Sequence, residues 1–439
     1  MNRNDHIKNI FVVGFDERHG ADLLQIPDAC SFNFLPLLRS EEIVYQQKYD
    51  IEEMLDKARG ILRNFDGSID GMVCHWDFPA TSITAILCQE FNLPCPSLEA
   101  ILKCSHKYWS RTEQRQAAPE NTPDFCAFDP FDDDALSKVT LDYPFWIKPV
   151  KGYGSLLGFR INDAGDFHRA IGIVRERIHR LGDPFNTILA KAQLPEAIAG
   201  INGNYLIAEE LLHGLEIAPE GSIQHGQYRV HGMIDMVRDH NHKSFLRYEY
   251  PSKAPKQIQQ RAIDVAGRVL QHIGFDNGCF NMEFFWDKDS DKLQIIEINP
   301  RISQSHSYQF EKVDGISNHE IAVHVAVGDE AHFVEGKGPY KHAAKFLLRH
   351  YTQNDAVATR VPTKKDLSRL LNEQPDTDVI LKLKKGERLS SLIDQDAYSY
   401  VLAEVHVAAQ TTHEMLENYH RAVELLPFEF EPVDEEASA

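Results

Sequence analysis

A chain of 439 residues is long enough for about three domains at roughly 150 residues each, and too long for one small core. Its 43% hydrophobic and 10% aromatic residues exclude wholesale disorder. Its formal charge of −20, from 46 Lys and Arg against 66 Asp and Glu, argues against nucleic acid or an anionic membrane as main partner, since both need a basic face. The apolar run at residues 10–13 is too short for a signal h-region or a span, so the chain is expected to be soluble and cytoplasmic. Seven scattered cysteines, Cys30, Cys74, Cys88, Cys95, Cys104, Cys126 and Cys279, form no C-x-x-C pair and read as reduced thiols, mostly buried.

In chain order, residues 9–14 and 70–76 read as short apolar strands, and residues 78–91 carry helical spacing up to a Leu93-Pro94 stop. Alternation of this kind is α/β grammar. Residues 118–134 hold six acids and no Lys or Arg, the composition of an exposed connection. Strands are expected at 143–150 and 156–161 around a glycine-rich turn. Asp163 then caps a helix whose Phe167, Ile171, Val174, Ile178 and Leu181 fall on one face. Strands follow at 205–212, 227–234 and 244–250. A second amphipathic helix (Ile258, Ala262, Val265, Val269, Ile273) ends at Gly274. A hairpin of residues 279–286 and 293–299, strands at 379–384 and 398–407, and a helix over 412–426 complete the reading.

The strongest local signal is that hairpin. One strand carries Glu283 and the other runs Ile296-Glu297-Ile298-Asn299-Pro300-Arg301. Strand alternation puts Glu297, Asn299 and Arg301 on one face while Ile296 and Ile298 point inward. With a turn at residues 287–291, Glu283 lies opposite or diagonal to Glu297. Two carboxylates and an amide oxygen make a hard donor set suited to Mg²⁺. The plain alternative for the hairpin alone is a solvated polar face with a salt-bridged Arg.

Two imitations lie nearby. Asp287, Asp289 and Asp291 resemble an EF-hand start, but Lys292 and Ile298 stand where Gly and Glu are required. His319-Glu320 with His324 resembles a zincin motif one residue too long, so its imidazoles diverge around the helix.

Lys148-Pro149-Val150-Lys151-Gly152-Tyr153-Gly154-Ser155 is neither a Walker loop nor a dinucleotide fingerprint. It is a strand ending in Lys before a small-residue turn, whose bare amides can close over phosphates, though such a turn is often only a turn. In Glu209-Glu210-Leu211-Leu212-His213-Gly214-Leu215-Glu216, acids beside an apolar strand end suit purine amino hydrogens and ribose hydroxyls, the alternative being an exposed edge. Lys107 opens a basic helix start that also reads as a solvated face.

The order of these motifs resembles the ATP-grasp superfamily, closest to its carboxylate–amine (amino acid or peptide) ligases and biotin-carboxylase-like enzymes. The resemblance covers about residues 70–330. It implies an α/β fold with an α+β lid: an N-terminal α/β domain at 1–105, an ATP-grasp core at 106–330 with the lid at about 140–212, and a C-terminal subdomain at 331–439 with an acidic tail. By resemblance, Lys107 and Lys148 contact ATP phosphates, and Gly152, Gly154 and Ser155 form the lid loop. Glu209, Leu211 and Leu212 meet adenine and Glu216 ribose. Glu283, Glu297 and Asn299 hold Mg²⁺ or Mn²⁺, and Arg301, the catalytic group with Lys148, steadies the transferred phosphoryl.

The implied reaction is ADP-forming amide or peptide synthesis through an acyl phosphate, from small-molecule carboxylate and amine substrates, without nucleic acid or membrane, in a chain that could form a homodimer. The alternatives are another ATP-grasp reaction, such as carboxylation or phosphorylation, and nucleotide binding without ligation. Ile302-Ser303-Gln304-Ser305-His306 departs from the glycine-rich turn common after Asn-Pro-Arg. Ser305 also stands where biotin carboxylases place an acidic base. Arg229, sharing a strand face with His231, and the polar segment 239–243 are the candidates near the acceptor, with His306. Eleven of the twenty net negative charges lie in residues 118–134 and 427–439, outside every proposed ATP motif.

Overall fold

The computed structural model describes residues 7–154, 156–239, 244–331, 333–352, 354–392 and 399–433. They divide into two compact units, each discontinuous in sequence. The first is Met1–His231, Ala254–Gln304 and Asn318–Phe333; the second is Gly232–Lys253, Ser305–Ser317 and Val334–Ala439.

The first unit opens with a parallel sheet in the order Phe32–Arg39, Lys8–Phe15, Gly71–Cys74. Ile10, Val12 and Val73 pack with Leu23 and Val323 in its core, as a strand covered on both faces requires. The helix Ala80–Phe91 follows, buried from Ala80 to Cys88. Phe32–Arg39 was not expected, because Pro36 within it reads as a strand breaker.

A four-stranded antiparallel sheet comes next, in the order Phe125–Phe128, Leu206–Glu210, Phe145–Pro149, Phe159–Ile161. Its first strand corrects the reading of residues 118–134 as a mere connection: Cys126 pairs with Ala208 and Ala127 with Ile207. The acids flank this strand, and Glu120 and Asp124 pair with Arg268 and Arg115. This four-stranded sheet thus begins before residue 140. Asp163 caps the following helix, its carboxylate accepting from the Asp166 amide at 2.8 Å. Phe167, Ile171, Val174, Ile178 and Leu181 are all buried, but the single helix expected to carry them is corrected to one ending at Arg177, with Ile178 at its cap and Leu181 in the next helix, His179–Leu189. The first four pack on Phe145, Ile147, Leu206 and Ala208 of the four-stranded sheet. At roughly 2 kcal/mol per buried large side chain, that face fixes the helix on the sheet.

The hairpin strands Gly278–Asp287 and Lys292–Asn299 pair as expected, and Gly278–Asp287 also pairs with Leu215–Gln224. This third strand was missed, since Pro219 and Gly221 lie inside it. Gly221 is required there: a β-carbon would stand 2.1 Å from the Arg229 carbonyl oxygen. The helix Lys256–Ile273 stops at Gly274, whose φ is +78°.

The second unit continues from the strand Gln227–Arg238, which passes into it after His231. Phe245–Tyr250, His342–His350, Tyr400–Ala409 and Asp378–Leu381 lie side by side in that order. The helices Lys364–Glu373 and Thr412–Glu424 place Leu370 and Met415 on Phe346, Val405 and Val407. Among the described residues no helix is long and apolar enough to cross a membrane.

Candidate active site

Every described residue of the expected ATP site lies in the first unit. The hairpin register sets Glu283 directly opposite Glu297 and Asn281 opposite Asn299, with a bulge between Glu283 and Phe284. Asn299 Nδ2 donates to Glu283 at 3.0 Å. The 287–291 segment is the turn: the Asp289 amide donates to Asp287 at 3.0 Å, and Ser290 closes onto the same carboxylate. Arg301 has left the strand, and its guanidinium donates to Asp77 through Nη2 at 2.6 Å and Nε at 3.2 Å.

Opposite the hairpin stands the helix Lys107–Ala117, capped by His106. Lys107 Nζ lies 3.1 Å from Glu297 Oε2 and 3.0 Å from the Gly152 carbonyl oxygen. Burial raises the Glu297 pKa, but Lys107 first and Lys148 next outweigh it and hold it at about 2. Glu297 is therefore ionised and ready to serve as a ligand. Lys148, on Phe145–Pro149, reaches Glu209 of Leu206–Glu210 at 2.6 Å. Burial lowers its ammonium pKa, against the pull of Glu209.

Sequence reasoning passed over three members of the site. Arg111 is 2% exposed. It donates to Glu209 at 2.6 Å, Gln114 at 2.5 Å and the Ile296 carbonyl at 2.8 Å, so it ties the helix to both the strand Leu206–Glu210 and the hairpin strand Lys292–Asn299. Burial pushes Glu209 up, but Arg111 and Lys148 hold it at about 2. The signal was available, because Arg111 follows Lys107 by one helical turn on the same face. Asp77 follows the last parallel strand, at the carboxyl end where open α/β sheets place functional groups. Burial raises its pKa, while Arg301 and then Lys151 bring it below the usual carboxylate range. Lys151, the third, sits where the strand Phe145–Pro149 enters its glycine turn.

The remaining expectations divide. Gly154 adopts φ +58°, and a β-carbon there would meet nothing within 4 Å, while Ser155 lies outside the described residues. Leu211 and Leu212 are half-buried beyond the strand end, so the single strand expected over 205–212 is corrected to one ending at Glu210. Glu216 is buried opposite Phe285. Arg229 is not brought to the site residues: it is held by Glu330 at 2.7 Å and the Ala331 carbonyl at 3.3 Å. His231 is buried against Ser222 at 3.0 Å. His306 belongs to the second unit, its ring beside Tyr248 and Phe310. Of 239–243 only Asp239 is described, and residues 434–439 of the tail lie outside. His319 and His324 face different carboxylates, Asp22 and Asp28, so they diverge as their spacing predicts.

Residues 141–308 match the family model of the ATP-grasp domain. The uncharacterized protein y4rH of Sinorhizobium fredii is 24% identical over 257 residues, covering 56% of this chain and 46% of that protein. The match thus spans less than half of that relative's length. An L-amino acid ligase from Bacillus licheniformis has a TM-score of 0.73 at 17% identity, covering 97% of this chain and 99% of the other. A biotin carboxylase from Campylobacter jejuni, solved as a beta-gamma-ATP complex, has a TM-score of 0.64 at 16% identity, covering 97% and 93%. Likeness at such identities speaks for the fold alone. With the family match, it identifies residues 141–308 as an ATP-grasp domain and the chain's fold as the ATP-grasp fold.

Proposed function

We propose that the chain is an ATP-dependent carboxylate–amine ligase, forming an amide or peptide bond through an acyl phosphate and releasing ADP and phosphate. The observation that carries this reading is the opposition of Glu283, Glu297 and Asn299 on one hairpin to Lys107 on the facing helix, with Arg301 at the hairpin's end. Glu209, Leu211 and Leu212 are assigned to adenine, and Glu216 to ribose. Lys107 and Lys148 are assigned to the phosphates, under the loop of Gly152, Gly154 and Ser155.

Two facing carboxylates and an amide fit Mg²⁺ or Mn²⁺. Such an ion takes its other oxygens from nucleotide and water. Asn299 now presents its NH₂ group to Glu283, so its amide turns over to offer oxygen. When bound, the ion neutralises charge on the phosphates.

In this reading a substrate carboxylate oxygen attacks the γ-phosphorus and ADP leaves. The amine nitrogen then attacks the acyl carbon, phosphate leaves, and the nitrogen gives up its proton. The chain's own work is positioning and charge compensation. Arg301, oriented by Asp77, faces the charge that builds on the transferred group. The test is ADP release over a panel of amino acids and small carboxylic acids, each with and without an amine. Release that needs both supports the reading, whereas release that needs biotin and bicarbonate replaces it with carboxylation. Stabilisation by ATP with no turnover under either condition leaves a nucleotide-binding protein.

A further inference from the structure

Each cation of the site has a carboxylate of its own, except one. Lys107 faces Glu297, Lys148 and Arg111 share Glu209, and Arg301 holds Asp77. Lys151 is 4% exposed, and among the described residues its ammonium makes no hydrogen bond or ion pair. It stands instead 5.2 Å from the centroid of the Phe78 ring and 5.6 Å from that of Phe185. Phe78 follows Asp77 directly, so this ammonium lies beside the Asp77–Arg301 pair. Burial drives its pKa down to about 8, with Asp77 opposing and Lys107 adding to the effect.

A buried ammonium with no hydrogen bond or ion pair of its own is costly, since cation–π attraction and the field of the nearby Asp77 carboxylate recover only part of what hydration supplied. Breaches of this kind concentrate where a ligand supplies the missing partner. The position also excludes the alternative of a solvated lysine stretched along the surface.

We propose that Lys151 is the contact for the anionic end of the acceptor substrate, meeting its carboxylate before phosphoryl transfer and the phosphate oxygens afterwards, beside Arg301. The inference rests on the ligase reading for the carboxylate. The contact with phosphate oxygens is testable without it.

The probe is inorganic phosphate, titrated calorimetrically into the full chain saturated with ADP and MgCl₂. Wild type is expected to bind phosphate saturably, and Lys151→Met to weaken that binding at least about tenfold, the loss usual for a desolvated charge-assisted contact. Lys151→Arg is expected to fall between them, and ADP affinity to stay within about twofold in both variants. Equal phosphate affinity in wild type and Lys151→Met overturns the proposal, as does absence of saturable binding in wild type. A parallel loss of ADP affinity also overturns it, because it moves the lysine onto the nucleotide. A lysine kept only for packing lowers the melting temperature of Lys151→Met and leaves phosphate binding untouched, which again refutes the contact. If the phosphate effect appears while no carboxylate in the panel supports ADP release, the ligase reading fails and the anion contact stands. The reverse pattern keeps the ligase and removes Lys151 from its site.

Discussion

Two glutamates, one in each unit, bridge two cations apiece, Glu209 buried and Glu404 partly exposed. Glu404 lies between Lys345 at 3.0 Å and Lys382 at 2.8 Å; Glu209 lies between Arg111 and Lys148, both at 2.6 Å. The Glu404 group comes from adjoining strands of one sheet and its immediate continuation, and Lys345 spends its further capacity on Ser305 at 3.1 Å. That network closes on itself. The Glu209 group draws on a helix, a sheet strand and, through the Ile296 carbonyl, the hairpin strand that carries Glu297. It stands beside a glycine turn and an ammonium that makes no ion pair among the described residues. The same charge pattern thus recurs in two settings, of which the proposed function opens only the second to a ligand, and the difference lies in which elements supply it and in what is left unpaired.

The comparison breaks most visibly at the hairpin. Glu297→Gln changes charge and hardly changes shape, so it is expected to lower Mg·ATP turnover by on the order of 10² or more while the fold is kept. ADP release and circular dichroism measure the two parts, and wild-type turnover removes Glu297 from the metal assignment. Next in size, Lys148→Ala is expected to raise the KM for ATP roughly tenfold, read from initial rates; an unchanged ATP dependence takes Lys148 off the phosphates. Glu209→Gln and Glu404→Gln test the contrast itself. Glu209→Gln leaves the buried Arg111 and the largely buried Lys148 without their carboxylate and is expected to cost about 3 kcal/mol in urea unfolding, whereas Glu404→Gln leaves Lys345 buried and Lys382 exposed and is expected to cost less. Only Glu209→Gln should also weaken nucleotide binding, by roughly tenfold, with Glu404→Gln within about twofold. Equal effects on nucleotide affinity erase the distinction between the two networks.

Much of the site was legible because its elements are local. The hairpin register follows from alternation and one turn, so Glu283 opposite Glu297 could be read from residues 279–299. The capped helix after Asp163 and the stop at Gly274 follow from cap chemistry and helical spacing. What stayed hidden depends on distant partners. Pro36 and Pro219 sit inside strands that local propensity rejects and neighbouring strands sustain. Phe125–Phe128 is four residues long, and only its pairing with Leu206–Glu210 makes it a strand. Asp77 acquires its meaning from Arg301, 224 residues away. The units also defeat a sequential division, since each is assembled from three separate stretches of the chain.

The last effect offers the sharpest contrast, because its sign is opposite. Removing a partnered charge such as Glu209 destabilises the chain, whereas removing the unpartnered Lys151 should stabilise it. Burial holds the folded pKa of Lys151 at about 8, below the ordinary lysine value of 10.5. Between those values the unfolded chain still carries a proton that the folded chain has released. Stability owed to this group therefore rises with pH through that window, and the full penalty applies below about pH 8. The interval corresponds to about 3 kcal/mol at most. Lys151→Met is accordingly expected to be more stable than wild type at pH 7 by up to about that amount, with the gap closing as pH approaches 10.5. Urea unfolding of both proteins at pH 7, 9 and 10 measures it as a difference, so that the alkaline titration of other groups cancels. A variant less stable than wild type at pH 7, or a gap that does not change with pH, means that the ammonium already has a partner and that its aromatic setting is the whole of its role.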